Sequence, residues 1–261
     1  MHEGMRKKIK VLLQPLIKKS LNQSESCQGS LYIMKSSNGI SQVIYNMCNI
    51  CGSKNNFKNN KPCGFSKKTI FRDKMYCEKC DSQERHRFIC EYIKKNKNII
   101  KDKRIVHCAA EICFKYIPEL AEVYYKINLN PNPYLDETKM DIKDMIFESE
   151  TIDTFICSHV LEHVKDDDKA MKEIARILRK DGTAILLVPI DGREHTTEFA
   201  NPNEKDFDHY RNYGYIDFIN KLKLYFTSVK RILPQDILTP EAIELFSLSY
   251  ENNQGIFECK K

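Results

Sequence analysis

The sequence predicts an α/β protein in which a doubly wound, largely parallel sheet follows a small cysteine-rich module. Two observations carry that prediction. From Lys103 onward, short apolar runs alternate with stretches of helical period, as expected for strands covered on both faces by crossover helices. Ahead of them stand Cys48-x-x-Cys51 and Cys77-x-x-Cys80, two tight pairs whose thiolates can converge on one cation.

At 261 residues the chain can bury a full core and still carry an appendage. Three units are expected: an N-terminal helix with a hairpin-like segment over 1–45, a zinc ribbon with its following helix over 46–95, and the sheet domain over 96–261. In the first, Ile9, Leu12, Leu13 and Leu16 share one face of an amphipathic helix. Pro15 and Lys18–Lys19 interrupt its apolar centre, which argues against a secretory leader. Hydrophobic residues make up 41%, charged residues 30% and the net charge is +6, so the surface tolerates anionic partners without requiring nucleic acid. No apolar run is long enough to span a bilayer, and a cytoplasmic location is expected. Eleven cysteines without a secretion signal point away from disulfides and towards a metal.

The four paired cysteines, Cys48, Cys51, Cys77 and Cys80, make a closed tetrahedral set, so the Zn²⁺ they imply is structural. Gly52 follows the first knuckle, where a backbone turning towards the metal favours positive φ. Cys27, Cys63 and Cys90 are not needed, and Cys108, Cys113 and Cys157 read as buried, inert thiols. After the second knuckle comes D-S-Q-E-R-H-R, Asp81 to Arg87, with Ser82 as the expected N-cap of a helix. Arg85, His86 and Arg87 oppose the helix dipole there, so they call for salt bridges to the neighbouring domain or for an anionic ligand.

In the sheet domain RIVHCAA reads as the first strand, FKYIPELAE as a helix and VYYKINLN as the second strand, with TFICS as the third. A helix over DDKAMKEIARILRK follows, apolar at Ala170, Met171, Ile174, Ile177 and Leu178 and closed by Asp181–Gly182. TAILLVP is a fourth buried strand, and FTSVKRIL and GIFECKK can form an antiparallel edge pair. In such sheets ligands bind beyond the carboxyl ends of the strands.

His159, Glu162 and His163 spell H-x-x-E-H, the signature of inverzincin metalloproteases. That chemistry needs both histidines on one continuous helix. Here the motif follows the strand TFICS directly, and the cap of the next helix, Asp166 to Asp168, comes only afterwards. The spelling therefore falls on a strand-to-helix corner and does not predict a protease.

The order strand, D-T-F-I-C-S-H-V-L-E-H-V, D-D-D-K-A-M-K-E-I-A-R-I-L-R-K-D-G, strand ending V-P resembles class I S-adenosylmethionine-dependent methyltransferases of the type 11 group. Glu173, Arg176, Ile177, Leu178 and Gly182 stand where that group reads E-x-x-R-V-L-x-P-G-G. A subgroup with an N-terminal zinc ribbon is matched further by C-x-x-C-x-S-x-E-R-H-R, Cys77 to Arg87, and by the late H-x-R-x-Y-G of His209, Arg211, Tyr213 and Gly214. The resemblance implies a Rossmann-like sheet and S-adenosylmethionine as cofactor. It implies that Ala109, Ala110, Glu111, Asn128, Asp141, Ile142, Ser158 and His159 line the cofactor site. The first turn lacks the usual glycines. Asn128 replaces the usual acidic residue that accepts both ribose hydroxyls, so Asn128→Asp is expected to tighten binding.

Catalysis falls to the late segment and its neighbours. His209, His163 and His159 are candidate bases for a hydroxyl or amine acceptor. Arg211 and Arg193 could clamp an anionic acceptor, and Tyr213 completes the motif. Three functions stay open: a methyltransferase of a small-molecule or glycan-type acceptor, one of RNA or protein that reads its substrate with the ribbon, and a catalytically silent binding module. The ribbon lacks dense aromatic and lysine interleaving, which places nucleic acid behind the small molecule. Oligomeric state is not legible.

Overall fold

The computed structural model describes residues 46–54, 76–190, 192–248 and 255–261, and beyond these only the backbone of three short strands. The amphipathic helix expected near the N-terminus, Cys27 and Cys63 all lie outside the described residues. Strands β1 (Ile33–Lys35) and β2 (Ser41–Val43) pair antiparallel, as do β3 (Phe57–Lys58) and β4 (Tyr76–Cys77). Helix α1 (Glu84–Lys95) follows the second knuckle. Its N-cap is Gln83 rather than Ser82, because Ser82 turns inwards and belongs to the cysteine cluster.

The sheet domain opens with β5 (Arg104–Cys108), a single helical turn α2 (Ile117–Leu120), β6 (Val123–Asn128) and β7 (Thr138–Lys139). It continues with β8 (Ile152–Ser158), α3 (Asp167–Ile177) and β9 (Leu178–Leu187). An antiparallel ribbon of β10 (Thr197–Asn203) and β11 (His209–Asn212) occupies the long connection after β9. Helix α4 (Tyr215–Leu222), β12 (Ser228–Ile232), α5 (Pro234–Ile237), α6 (Pro240–Leu245) and β13 (Ile256–Lys260) complete the chain.

Seven strands form one sheet in the order β12-β13-β9-β8-β5-β6-β7. Strands β5 to β9 run parallel, and β13 is antiparallel to both its neighbours, β9 and β12. Neighbouring residues along each central strand point to opposite cores. Ile105, Ile156, Ile185 and Ile256 join α1 and α6 on one face. Val106, Phe155, Leu186 and Phe257 join α3 and α4 on the other. Every central position is thereby buried, which is why these strands read as continuous apolar runs rather than as alternating ones.

Two elements depart from expectation. The helix after β5 shrinks to α2 because Ala121 is already extended one residue past its single turn. Helix α3 ends at Ile177, and the chain enters β9 at once, so Asp181–Gly182 lies within the strand and does not cap the helix. The ladder to β8 shifts register there, Asp181 adopts φ 70°, and a Cβ at Gly182 would meet the Arg179 carbonyl oxygen at 2.8 Å. Glycine is required by that close approach.

Candidate active site and metal centre

The four paired cysteines meet. Their Sγ atoms all lie within 4.8 Å of one another, with Cys48–Cys80 and Cys51–Cys77 at 3.6 Å. Tetrahedral zinc with bonds of about 2.3 Å sets sulfurs about 3.8 Å apart, so the donors fit the ion. Each knuckle is closed by its own backbone: the Gly52 N–H donates to the Cys48 carbonyl, and the Asp81 N–H donates to the Cys77 carbonyl, both at 2.8 Å. Gly52 has φ 69°, as the turn requires. The Ser82 hydroxyl oxygen accepts from the Cys80 thiol at 3.3 Å and lies 3.2 Å from the Cys48 sulfur, to which its own O–H can donate.

The module is built into the body of the protein. Cys48, Cys77 and Ile50 belong to the same buried cluster as α1 and the sheet face above it. Arg87 is fully buried and donates to the Phe246 carbonyl at 2.7 Å, to that of Ser247 at 2.9 Å and to that of Ser82 at 2.8 Å. Of the two partners expected for the cations of α1, Arg87 therefore takes the neighbouring domain.

His86 turns towards the end of β5. Its Nε2 lies 3.2 Å from Glu111 Oε1, while His107 Nε2 lies 2.9 Å from Glu111 Oε2. Burial alone would push the Glu111 carboxyl up, but the hydrogen bonds and charge of His107 and His86 outweigh it and hold the group well below the usual range. A depressed folded pKa stabilises the protein above the ordinary carboxylate value, and that contribution is lost as pH falls through the folded value. Glu111→Gln is therefore expected to cost about 2 kcal/mol at pH 7, a deficit that shrinks below about pH 4. Thermal melts of both proteins across that range check it, and a deficit independent of pH would count against the pairing.

The other residues implied to hold a cofactor lie along the carboxyl edge of the sheet. The strand order reverses between β5 and β8, so a crevice opens there. Ala109 follows β5 at φ 51°, the left-handed conformation that glycine would favour; alanine holds it, anchored by its N–H on the Ile127 carbonyl at 2.8 Å. The turn therefore keeps its shape without the glycines. Ala110 is buried beside it. At the edge beyond β7, the Asp141 carboxylate accepts the Lys143 N–H at 2.9 Å, and Ile142 is buried next to it.

Asn128 ends β6, and its amide donates to both Glu137 oxygens at 3.3 and 3.2 Å. A carboxylate from beyond the turn at Pro131 and Pro133 thus stands beside the strand end, a relation with no local sequence signal. It reverses the expected effect of Asn128→Asp, because the new carboxylate would face Glu137 at hydrogen-bonding distance. The variant should bind S-adenosylhomocysteine about tenfold more weakly, and adding Glu137→Gln should restore affinity. Calorimetry of the single and double variants tests this. Tighter binding by Asn128→Asp alone would contradict it.

At the end of β8 the buried Ser158 hydroxyl has no hydrogen-bond partner. His159 has φ 55° and turns the chain, and its Nε2 is likewise without a partner. Burial, then the charges of Arg85 and His86, hold the His159 imidazole neutral, its pKa well below the ordinary value. Leu161–His163 form one 3-10 turn, so the H-x-x-E-H spelling occupies a corner, as expected. Glu162 is 1% exposed with neither carboxylate oxygen hydrogen-bonded, and burial pushes it up to about 8.

Strand β11 brings the late motif to this corner. His209 is buried, and its ring lies 4.7 Å from that of His163. Burial and the charge of His209 lower the pKa of His163, favouring its neutral form. Arg211 is committed to the protein. It donates to the carbonyls of Val164 at 2.5 Å and Lys165 at 2.8 Å and to both Glu198 oxygens at 3.0 Å. Its fork is engaged in stapling β11 to the corner, which replaces the expected anion clamp. Tyr213 is buried and donates to Asp167 Oδ2 at 2.6 Å, a role in packing rather than in the crevice. The sequence singled out His209, His163, Ser158 and His159 of this group. It missed Glu162 as a site residue and Glu137 entirely.

Residues 107–186 match the family model described as a methyltransferase domain. Over this stretch the chain is similar to methyltransferase domains. The match runs from within β5 to near the end of β9, and it takes in Glu111, Asn128, Ser158, His159, Glu162 and His163. His209, Arg211, Tyr213 and the four paired cysteines lie outside it. The sheet order, with only β13 reversed, is that of the class I, Rossmann-like methyltransferases. Among solved structures, 1,6-didemethyltoxoflavin-N1-methyltransferase of Burkholderia thailandensis with bound S-adenosylhomocysteine is 13% identical, at TM-score 0.47 over 67% of this chain and 77% of that one. An S-adenosylmethionine dependent methyltransferase from Mesorhizobium loti is 12% identical, at 0.46 over 66% and 96%. The cyclase SpnF is 9% identical, at 0.48 over 69% and 82%. Likeness of this degree carries nothing about the reaction. No curated protein sequence matches the chain. Among the described residues no helix is long and apolar enough to cross a membrane.

Proposed function

We propose that this methyltransferase domain transfers a methyl group from S-adenosylmethionine to a hydroxyl or amine of a small-molecule or glycan-type acceptor. The observation that carries the reading is the set of buried polar atoms without partners at the sheet's switch point: Ser158 Oγ, His159 Nε2 and both Glu162 oxygens, beside His163 and His209. Buried polar groups are otherwise paired, so such a cluster calls for a ligand. The cofactor, when bound, supplies an electrophilic methyl group. Asn128 with Glu137 would receive its ribose hydroxyls, and Asp141 and Ile142 its adenine. Arg85, whose Nε has no hydrogen-bond partner, is available for its carboxylate. His159, held neutral, can take the acceptor's proton, and His163 and His209 stand on the acceptor side of the crevice.

A ribbon that reads RNA or protein is less well supported. Its knuckles are buried against α1 and α6, and Arg87 is used internally rather than presented. The structural role of the zinc is consistent with that packing. The test is incubation with methyl-labelled S-adenosylmethionine and separate pools of small molecules, RNA and protein. Label in the small-molecule fraction is expected. Label in RNA or protein would overturn the acceptor class, and no label together with no cofactor binding would mark a silent module.

A further inference from the structure

We propose that Glu162, His163 and His209 form a second metal site, for a divalent transition-metal ion, on the acceptor side of the crevice. One ligand atom from each of the three lies within 4.8 Å of the other two. Bonds of about 2.1 Å would draw these donors to about 3.0–3.4 Å from one another, a modest closure for an imidazole at the rim. His163 is that imidazole: it is exposed, whereas Glu162 and His209 are buried, so the ion has an entry path.

The second observation is the state of Glu162. A carboxylate 1% exposed with no hydrogen bond to either oxygen is costly to bury unless a cation compensates it. The nearby cations do not complete it. Arg85 acts on Glu162 only through its charge, and His159 Nδ1 stands 3.7 Å from Oε1, beyond hydrogen-bonding distance. The two remaining protein donors are imidazoles, which select zinc, iron or cobalt over magnesium, calcium and manganese, whose sites are built mainly from oxygen.

The surrounding structure holds the three ligands in register. Glu162 and His163 sit on one 3-10 turn, and Arg211 ties that turn to β11 through the carbonyls of Leu161, Val164 and Lys165. His209 Nδ1 lies 3.3 Å from Asn212 Oδ1, a contact that orients the ring and leaves Nε2 for the ion. The H-x-x-E-H spelling thus contributes Glu162 and His163, with the third ligand arriving from β11. Unlike the closed set of four thiolates, three protein ligands leave coordination positions free. An oxygen of the acceptor suits such a position, a consequence that rests on the methyl-transfer reading. Binding of the ion does not.

The experiment is a titration of zinc-loaded protein with Co²⁺, followed by metal analysis and visible absorption. One further equivalent of metal is expected, with weak d–d absorption and no thiolate charge-transfer band. Exchange into the ribbon would announce itself by that band. His163→Ala, at the exposed rim, and Glu162→Gln should each weaken the second ion at least tenfold, with thermal melts confirming that His163→Ala is folded. A metal content that stays at one per chain, or variants that bind the second ion as tightly as the parent, would overturn the site. Calorimetry with S-adenosylhomocysteine on the same samples separates the two readings. Cofactor binding without a second metal removes this site and spares the methyltransferase reading; a second metal without cofactor binding does the reverse.

Discussion

Cys48→Ser, or removal of the metal by a chelator, is expected to lower the melting temperature of the whole protein by about 8–16 °C, corresponding to a loss of about 4 kcal/mol. The sequence alone would place this effect in a detachable front module, leaving the sheet domain largely intact. The structure argues otherwise. Cys48, Cys77, Met47 and Ile50 share a buried cluster with Ile89, Ile93 and the sheet residues Ile156 and Ile185. The Met47 N–H donates to the Leu245 carbonyl at 2.7 Å, and Arg87 bridges the second knuckle to Phe246 and Ser247. Loosening the knuckles would expose one side of that core and strip Arg87 of its buried acceptors. Differential scanning calorimetry with and without chelator should show one shifted transition. Two separated transitions, with the upper one unmoved, would mean that the ribbon unfolds by itself.

His209→Ala is expected to reduce methyl transfer about a hundredfold while leaving S-adenosylhomocysteine affinity nearly unchanged. Every segment assigned to the cofactor follows a strand of the parallel sheet. His209 instead comes from the ribbon β10–β11 and meets His163 and Glu162 beyond those strand ends. Phe207 and Asp208 just before it have φ of 56° and 59°, a left-handed turn that leads the chain into β11 and that the surrounding packing sustains. Single-turnover methylation paired with calorimetry on this variant separates the two sides of the crevice. Lost cofactor affinity with normal transfer on the residual complex would reverse the assignment.

What the sequence revealed of these features depended on how local their signals were. The knuckles were legible because two residues separate each cysteine pair, and the strands because residues buried on both faces leave unbroken apolar runs. The departures arose where partners are distant. Arg87 is bound to carbonyls about 160 residues away, and Arg211 to a turn more than 40 residues upstream, so both read as free cations available to an anion. Glu137 compensates Asn128 across a proline-flanked turn, and no periodicity links the two. Ala109 marked a turn that lacked its expected glycine, but the sequence could not show that the left-handed conformation survives, because its hydrogen bond to Ile127 comes from the neighbouring strand. Glu162 was visible only inside a spelling that belongs to another chemistry, and its isolation became apparent once the corner was built.

The central claim is that the carboxyl edge of the sheet, from Ala109 to His159, holds the methyl-donor cofactor. Calorimetric titration of the zinc-loaded protein with S-adenosylhomocysteine tests it most directly. The account predicts one molecule bound per chain, accompanied by a rise in melting temperature that grows with ligand concentration. No heat of binding and no stabilisation at concentrations up to about 1 mM would contradict it.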